Sequence, residues 1–442
     1  MKSFSGPVKR VLMLSWEFPP RVIGGIARHV DELSRALASA GVEVDVLTAH
    51  HPGAPSEETL QPGLRVLRAG PPPVQPVDFI CDIHQLDFGL LQRFLTAGRI
   101  RPRDYDLIHA HEWLVAFAAR SLRFGLDLPL VATIHATEWG RNGGIRTPMQ
   151  QYIHSVEWML AYDAWRVICC SHAMEGELQT ALQVPTDKVR VIPNGVEPRR
   201  LQSSGAPKKL AAFRRRWARD DERIVLFVGR LVREKGVEVL IDSMPEVLSA
   251  HPDARLVVAG GGPRDHLVGR AARHGLSHKV TFAGYVSDEL ADLYAVADVA
   301  VFPSLYEPFG IVALEAMAAG VPVITSDIGG FREVVRHGAT GLHTWANNPR
   351  SLAWGITQVL GDPFLATRLG RRARREVLSR FNWQGIAEQT LGVYQEVLDL
   401  AAERATPAVF SRAAAPEAIG PGLRARYLGV PQGELAGVSA RS

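Results

Sequence analysis

Short runs of apolar, mostly β-branched residues recur along the chain, and amphipathic stretches separate them. In the first half these runs cover residues 8–14, 42–48, 65–69, 106–111, 130–135, 166–171 and 188–193. Between the first two, residues 25–40 place Ile26, Val30, Leu33 and Leu37 on one helical face. Such alternation predicts a mostly parallel, doubly wound α/β sheet. The pattern breaks at 197–222, which is polar and then basic around residues 214–216. It resumes with runs at 223–229, 254–260, 280–284, 297–303 and 321–326. The last strong helix spans 383–401, where Trp383, Ile386, Leu391, Tyr394, Val397 and Leu398 make an apolar stripe. Past residue 405 the chain is rich in Ala, Pro, Gly and Arg without periodicity, which predicts a flexible tail.

The expected organisation is therefore two Rossmann-like domains facing each other across a cleft. The first covers 1–197, a linker covers 198–222, and the second covers 223–382. A terminal helix covers 383–402 and the tail 403–442. The 442 residues suit two domains of about 200 each. A net charge of +4 is weak for this size and does not point to nucleic acid. The start of the chain lacks an adequate apolar signal region, and no stretch approaches the ~20 apolar residues of a spanning helix. Cys81, Cys169 and Cys170 give neither a disulfide framework nor metal-ligand spacing. These features predict a reduced, cytoplasmic enzyme.

Ligands of open α/β sheets bind beyond the carboxyl ends of the strands, so the strand ends hold the candidate chemistry. After the first strand, Gly24 and Gly25 open a helix, where backbone N–H groups suit an anion. A tight turn needing glycine explains the pair equally well. The segment is not the G-x-G-x-x-G of a dinucleotide site, which argues against an oxidoreductase. The fourth strand run ends in LIHAHEWL, with His109 and His111, and the fifth in TIHATEWGRNGG, with His135 and Glu138. Histidines are metal ligands by type, but alone they are more often structural, and no metal site is expected. The second half opens with FVGRLVREKG, where Arg230 and Lys235 flank a helix start that suits a diphosphate. AGGGP, containing Gly261, forms another glycine-rich turn.

The richest segment is PSLYEPFGIVALEAMAAGVPVITSDIGG. Glu307 sits in a loop, Phe309 and Gly310 open a helix, and Glu315 lies about a turn inside it. The helix is otherwise nearly all apolar, so Glu315 is expected to be a buried carboxylate with a purpose. Helix amides and cations for phosphate, with carboxylates for hydroxyl groups, together describe a sugar nucleotide.

These segments resemble retaining glycosyltransferases of the GT-B fold, family 4, from about residue 8 to 401. EPFGIVALE matches that family's E-x(7)-E motif, and GRLVREKG its diphosphate segment. The N-terminal loop with HAHEW and TIHATEWGR is similar to the glycogen-synthase-like branch, which builds α-1,4-glucans. The resemblance implies that Arg230 and Lys235 neutralise the donor diphosphate, aided by the amides of Phe309, Gly310 and Ile311. It implies that Glu315 binds the ribose, Glu307 the sugar hydroxyls, and that His135 lies at the reacting carbon. Gly24 and Gly25 would close on the phosphates, the base would sit near Tyr285 and Val286, and the terminal helix would cross back to the first domain. His109, His111 and Gly261 are further candidate donor contacts. No cofactor or metal is implied. In the loop, Val22 and Ile23 precede Gly24 where classical bacterial glycogen synthases carry a lysine.

The implied function is transfer of glucose from ADP- or UDP-glucose to an α-glucan or malto-oligosaccharide. The alternative is a hexosyltransferase with a lipid-linked or small-molecule acceptor, as in maltose-1-phosphate synthesis. Outside that class stands a non-catalytic sugar-nucleotide-binding protein. The basic run 208–219 contains Leu210, Phe213 and Trp217 and could touch an anionic membrane, but a helix packed on the second domain is favoured.

Overall fold

A computed structural model describes residues 7–97, 104–203, 205–286 and 289–405. The first half runs β1 (Arg10–Ser15), α1 (Gly25–Ser39), β2 (Glu43–Thr48), β3 (Glu57–Gln61), β4 (Leu64–Arg68), α2 (Phe79–Thr96) and β5 (Leu107–His111). It continues through α3 (Ala116–Leu126), β6 (Leu130–Ile134), α4 (Glu138–Asn142), α5 (Pro148–Asp163), β7 (Arg166–Cys169), α6 (His172–Ala181) and β8 (Val189–Val191). Its eight strands lie in the order β3-β4-β2-β1-β5-β6-β7-β8. All neighbours pair in parallel except β3, which runs antiparallel to β4.

After α7 (Pro207–Arg214), the second half contains β9 (Arg223–Val228), α8 (Val237–Ala250), β10 (Ala254–Ala259), α9 (Asp265–Arg273), β11 (Val280–Gly284) and α10 (Leu290–Val296). Then follow β12 (Val299–Phe302), α11 (Ile311–Ala319), β13 (Val323–Ser326), α12 (Phe331–Val334), β14 (Leu342–Thr344), α13 (Pro349–Gly361), α14 (Pro363–Arg380) and α15 (Trp383–Ala405). These six strands form a second parallel sheet, β11-β10-β9-β12-β13-β14. The architecture is two Rossmann-like halves of the GT-B type. Both sheets belong to one compact unit that extends to Ala402.

The continuous apolar strands are buried on both faces, as parallel sheets require. In β1, Val11 and Met13 face one core while Leu12 and Leu14 face another. The Val11 side is closed by α15. Trp383, Ile386, Tyr394, Val397 and Leu398 all bury there, each contributing about 1.5–3 kcal/mol by removal from water. Glu396 of the same helix accepts from Arg166 Nε at 2.8 Å and Arg190 Nε at 3.0 Å. The terminal helix thus crosses back onto the first sheet.

Two strands escaped the sequence pattern. The edge strand β3 is polar (EETLQ) and β14 has three residues. LIHAHEWL consequently ends the fifth strand of the chain, not the fourth. Several strands also stop before the apolar run does. His135, Gly229, Gly260 and Pro303 lie just beyond their strands, where the chain turns out toward the cleft.

The stretch 198–222 connects the two halves and is itself folded. It holds a short 3-10 turn, Pro198–Leu201, and α7. Phe213 is buried, and Arg214 donates to the Val296 carbonyl at 2.5 Å and to Asp298 Oδ2 at 3.1 Å. Arg216 pairs with Glu289 at 2.6 Å. These basic residues are therefore spent on the second half of the protein. Among the described residues no helix is long and apolar enough to cross a membrane. The expected tail, 403–442, lies outside the described residues beyond position 405.

Candidate active site between the two sheets

Three strand-end turns of the second half nest against one another. Gly260 has φ +156, and a Cβ there would meet the Gly229 carbonyl oxygen at 1.7 Å. Gly236, φ +67, would meet the Pro303 oxygen at 2.0 Å. Only glycine lets these backbones touch. The contact sets the Lys235 turn directly on the end of β12. Lys235 Nζ donates to Glu307 Oε2 at 2.8 Å, and Ser304 Oγ donates to the same oxygen at 3.2 Å. Arg230 stands at the rim, half exposed, and donates to Glu234 at 3.0 Å. Gly261 faces open space. Tyr285 is exposed near the end of β11, with Val286 beside it.

Glu307 and Phe309 are held from behind by the turn 327–330. Gly330 N donates to the Glu307 carbonyl at 2.9 Å. A Cβ on Gly329 would meet that carbonyl oxygen at 2.2 Å, and one on Gly330 would meet Phe309 Cα at 2.3 Å. Gly310 adopts φ +107 and starts α11, whose first turn has no side-chain cap. Its N-terminus is open to an anion. Glu315 is buried within α11 and accepts from Tyr294 OH at 3.3 Å and from Arg28 of α1. Burial raises the Glu315 carboxyl, and the Arg28 charge opposes that rise.

The first half supplies the facing wall. Glu17 Oε2 accepts from Ile23 N at 2.8 Å and Gly24 N at 2.7 Å, so the loop before α1 is a preset turn. The Gly24 N–H is therefore committed to Glu17. Gly25 lies against α11, where an added Cβ would meet Ile311 Cδ1 at 2.9 Å. Glu112 follows β5 with φ +70, a strained conformation for a non-glycine residue. Its Oε1 accepts from His135 N at 2.6 Å and Ala136 N at 3.1 Å, which fixes where His135 stands.

His111 Nδ1 and His135 Nε2 share a hydrogen bond at 3.3 Å, and the His29 ring packs edge-on to His135, centroids 4.6 Å apart. Burial lowers all of these imidazoles below their ordinary range, His29 to about 4. They are neutral near pH 7. His109 occupies a different position from that expected. Its Nδ1 lies 2.6 Å from Tyr394 OH and its Nε2 2.7 Å from Thr133 Oγ1, in full burial under α15. Both nitrogens are spent, so His109 anchors the terminal helix and is not a donor contact. Its i, i+2 relation to His111 put both on one strand without saying which would reach the cleft.

Further contacts cross the cleft. Ser171 Oγ donates to the Pro308 carbonyl at 2.7 Å. Glu333 accepts from His172 N at 3.1 Å and Ala173 N at 3.0 Å. Tyr306 OH donates to Glu177 Oε1 at 2.8 Å. Arg28, Glu17, Glu112 and the glycine turn 329–330 had no assigned role in the sequence. Glu112 carried a signal, since it sits at a strand end inside LIHAHEWL.

A family profile described as Glycosyltransferase Family 4 matches residues 23–200, and one described as Glycosyl transferases group 1 matches residues 211–376. An uncharacterized glycosyltransferase of Methanocaldococcus jannaschii is 38% identical over 394 residues, covering 88% of this chain and 99% of that protein. A glycogen synthase of Mycobacterium tuberculosis is 38% identical over 399 residues, covering 87% of this chain and 94% of that one. The structure of a sucrose-phosphate synthase from Thermosynechococcus elongatus superposes with a TM-score of 0.77 at 29% identity, covering 89% of this chain and all of that one.

Proposed function

The chain belongs to the family 4 glycosyltransferases, and from that premise we propose that it is a retaining enzyme that moves glucose from a nucleotide diphosphate donor to an α-glucan or malto-oligosaccharide. The observation that carries this reading is the convergence of Lys235, Glu307, Glu315 and the uncapped start of α11 on one cleft, with His135 on the opposite wall. The likeness to a glycogen synthase supports the choice of acceptor.

Each part has a physical task. The donor diphosphate would draw Lys235 from Glu307 and lie against the amides of Phe309, Gly310 and Ile311, with Arg230 swinging from Glu234. Glu307, released from Lys235, would accept hydrogen bonds from the sugar hydroxyls. Glu315 would exchange the Arg28 guanidinium for the ribose hydroxyls. The bond from the anomeric carbon to the β-phosphate oxygen breaks, leaving oxocarbenium character on the sugar and negative charge on the phosphate. Fixed cations and helix amides stabilise that charge as it develops. The acceptor hydroxyl adds from the same face, and its proton passes to the departing phosphate oxygen. Neutral His135 would border the sugar without adding positive charge beside the oxocarbenium. Contacts such as Ser171 to Pro308 would hold the halves together and keep water from the reacting carbon.

The test is nucleoside diphosphate release from ADP-, UDP- and GDP-glucose, with and without glycogen or malto-oligosaccharides. Glucan-dependent release with chain lengthening is the expected result. Release that instead requires a phosphorylated sugar or a lipid-linked acceptor would replace the glucan reading. Glu315→Ala and Lys235→Ala should each abolish most transfer, and wild-type turnover in either would overturn the donor site.

A further inference from the structure

The first half contains a buried constellation beside His135 whose other members, His29 and His111, have no part in the proposed transfer. His29, His111 and His135 come from α1, the end of β5 and the residue after β6. Each presents a ring nitrogen, and these nitrogens all lie within 4.8 Å of one another. The first two are buried and the third half-buried. His111 Nδ1 and His135 Nε2 stand 3.3 Å apart. Two nitrogens bound tetrahedrally to one ion at about 2.0–2.1 Å would be about 3.3 Å apart.

The third ring is already oriented. His29 Nδ1–H donates to Asn194 Oδ1 at 2.7 Å, which leaves the Nε2 lone pair facing inward. Such an outer hydrogen bond fixes the tautomer of a metal-binding imidazole. His29 Nε2, the nitrogen left for an ion, is buried without a protein partner, and so is Nε2 on the far side of the His111 ring. Buried polar atoms in that condition call for a water or an ion. Glu112, whose Oε1 accepts from His135 N, places a carboxylate beside the cluster, and its Oε2 has no partner. The neighbouring His109 is the internal contrast, since both of its nitrogens are engaged.

We propose that His29, His111 and His135 form a binding site for a borderline transition-metal ion such as Zn2+, and that its occupation inhibits the enzyme reversibly. Three imidazole nitrogens match the preference of such an ion, and oxygen-seeking Mg2+ would not compete. A bound ion would hold His135 away from the donor sugar. That inhibitory consequence rests on His135 bordering the sugar as proposed above, whereas binding itself does not.

The experiment is equilibrium dialysis of the EDTA-treated full chain against micromolar ZnCl2, with metal content measured per chain. One zinc per chain is expected, with a melting temperature that rises with zinc concentration. Co2+ in place of Zn2+ should give tetrahedral d–d bands without a thiolate charge-transfer band, which separates this site from the cysteines. His29→Gln should weaken zinc binding by at least about tenfold, a loss that even outer-shell changes can produce. No bound zinc in the wild type, a thiolate band, or unchanged binding in a folded His29→Gln variant would overturn the site. The wild-type stoichiometry and cobalt spectrum decide the matter even where the variant does not fold. Zinc bound with undiminished transfer would overturn the inhibition alone. A protein that binds zinc but transfers no sugar under any condition would refute the proposed function and leave the metal site intact.

Discussion

The Arg28 guanidinium, in the first turn of α1, donates to the carboxylate of Glu315 in α11 and so ties one half of the protein to the other. The Glu315 charge holds Arg28 above its ordinary range. Glu315 is also the carboxylate proposed for the donor ribose. A cation from the facing wall occupies that proposed position in the structure. Arg28 also brings a positive charge to the side of the cleft where the glycine loop carries no lysine.

This relationship is measurable by a double-mutant cycle. Among the described residues, Arg28→Ala leaves a buried carboxylate with only Tyr294 as partner, and should destabilise the fold. Because Arg28 is about a third exposed, a coupling of roughly 1–2 kcal/mol is expected, below that of a fully buried pair. Urea unfolding of Arg28→Ala, Glu315→Gln and the double variant gives the coupling energy. Strict additivity would mean that the contact does not hold the halves together.

The two glycines facing the proposed phosphate position should respond differently. At Gly310, φ is +107 and a Cβ would meet the Phe331 ring at 2.5 Å. Gly310→Ala should cost about 1–3 kcal/mol and lower turnover by displacing the start of α11. At Gly25 the obstruction is the flexible end of Ile311, at 2.9 Å. Gly25→Ala should leave the melting temperature nearly unchanged and raise the donor KM several-fold. Equal effects on stability at both positions would refute this distinction.

Tyr394→Phe removes the partner of His109 Nδ1 in a fully buried place. The variant should lose about 1–3 kcal/mol of stability, the cost of a stranded buried polar atom. Its KM for donor should not change. A large KM effect with intact stability would return His109 to the active site.

The buried histidines also predict acid sensitivity. Burial lowers His29 to about 4 and His109 to about 3, and lowers His111 and His135 as well. The unfolded chain takes up protons near pH 6.5 that the folded protein refuses. Stability is therefore fully present above about pH 6.5 and falls as pH drops toward 4, by up to about 1.4 kcal/mol per pH unit for each histidine. Asp87 acts in the opposite sense. Burial raises its carboxyl to about 7, and its Oδ2 has no partner, so its ionisation costs stability as pH rises from about 4 to 7. Glu157, raised to about 9 by burial, acts in the same sense as Asp87, so the net slope is the balance of the two sets. Asp87→Asn should shift the difference between urea midpoints at about pH 7 and about pH 5 toward loss on acidification. An unchanged difference in the Asp87→Asn variant would show that the Asp87 carboxyl is not raised in the folded protein.

The alternation of apolar runs determined two parallel sheets, because a strand buried on both faces must read as continuous Val, Ile and Leu. The polar edge strand β3 and the short β14 carry too few buried positions to leave that trace. EPFGIVALE was legible for a related reason: an ionisable residue inside an apolar helix is too costly to keep without a partner. Residue identity could not say which partner Glu315 has, since Arg28 lies 287 positions away. It could not separate His109 from His111 either. Both occupy β5 and both are fully buried, and only the packing of Tyr394 against one and of His135 against the other tells them apart. The constellation of His29, His111 and His135 was equally hidden, because its members come from three elements that meet only when the sheet and α1 have packed. Local pattern therefore decided the elements, and the crossing of distant chain segments decided the chemistry of the cleft.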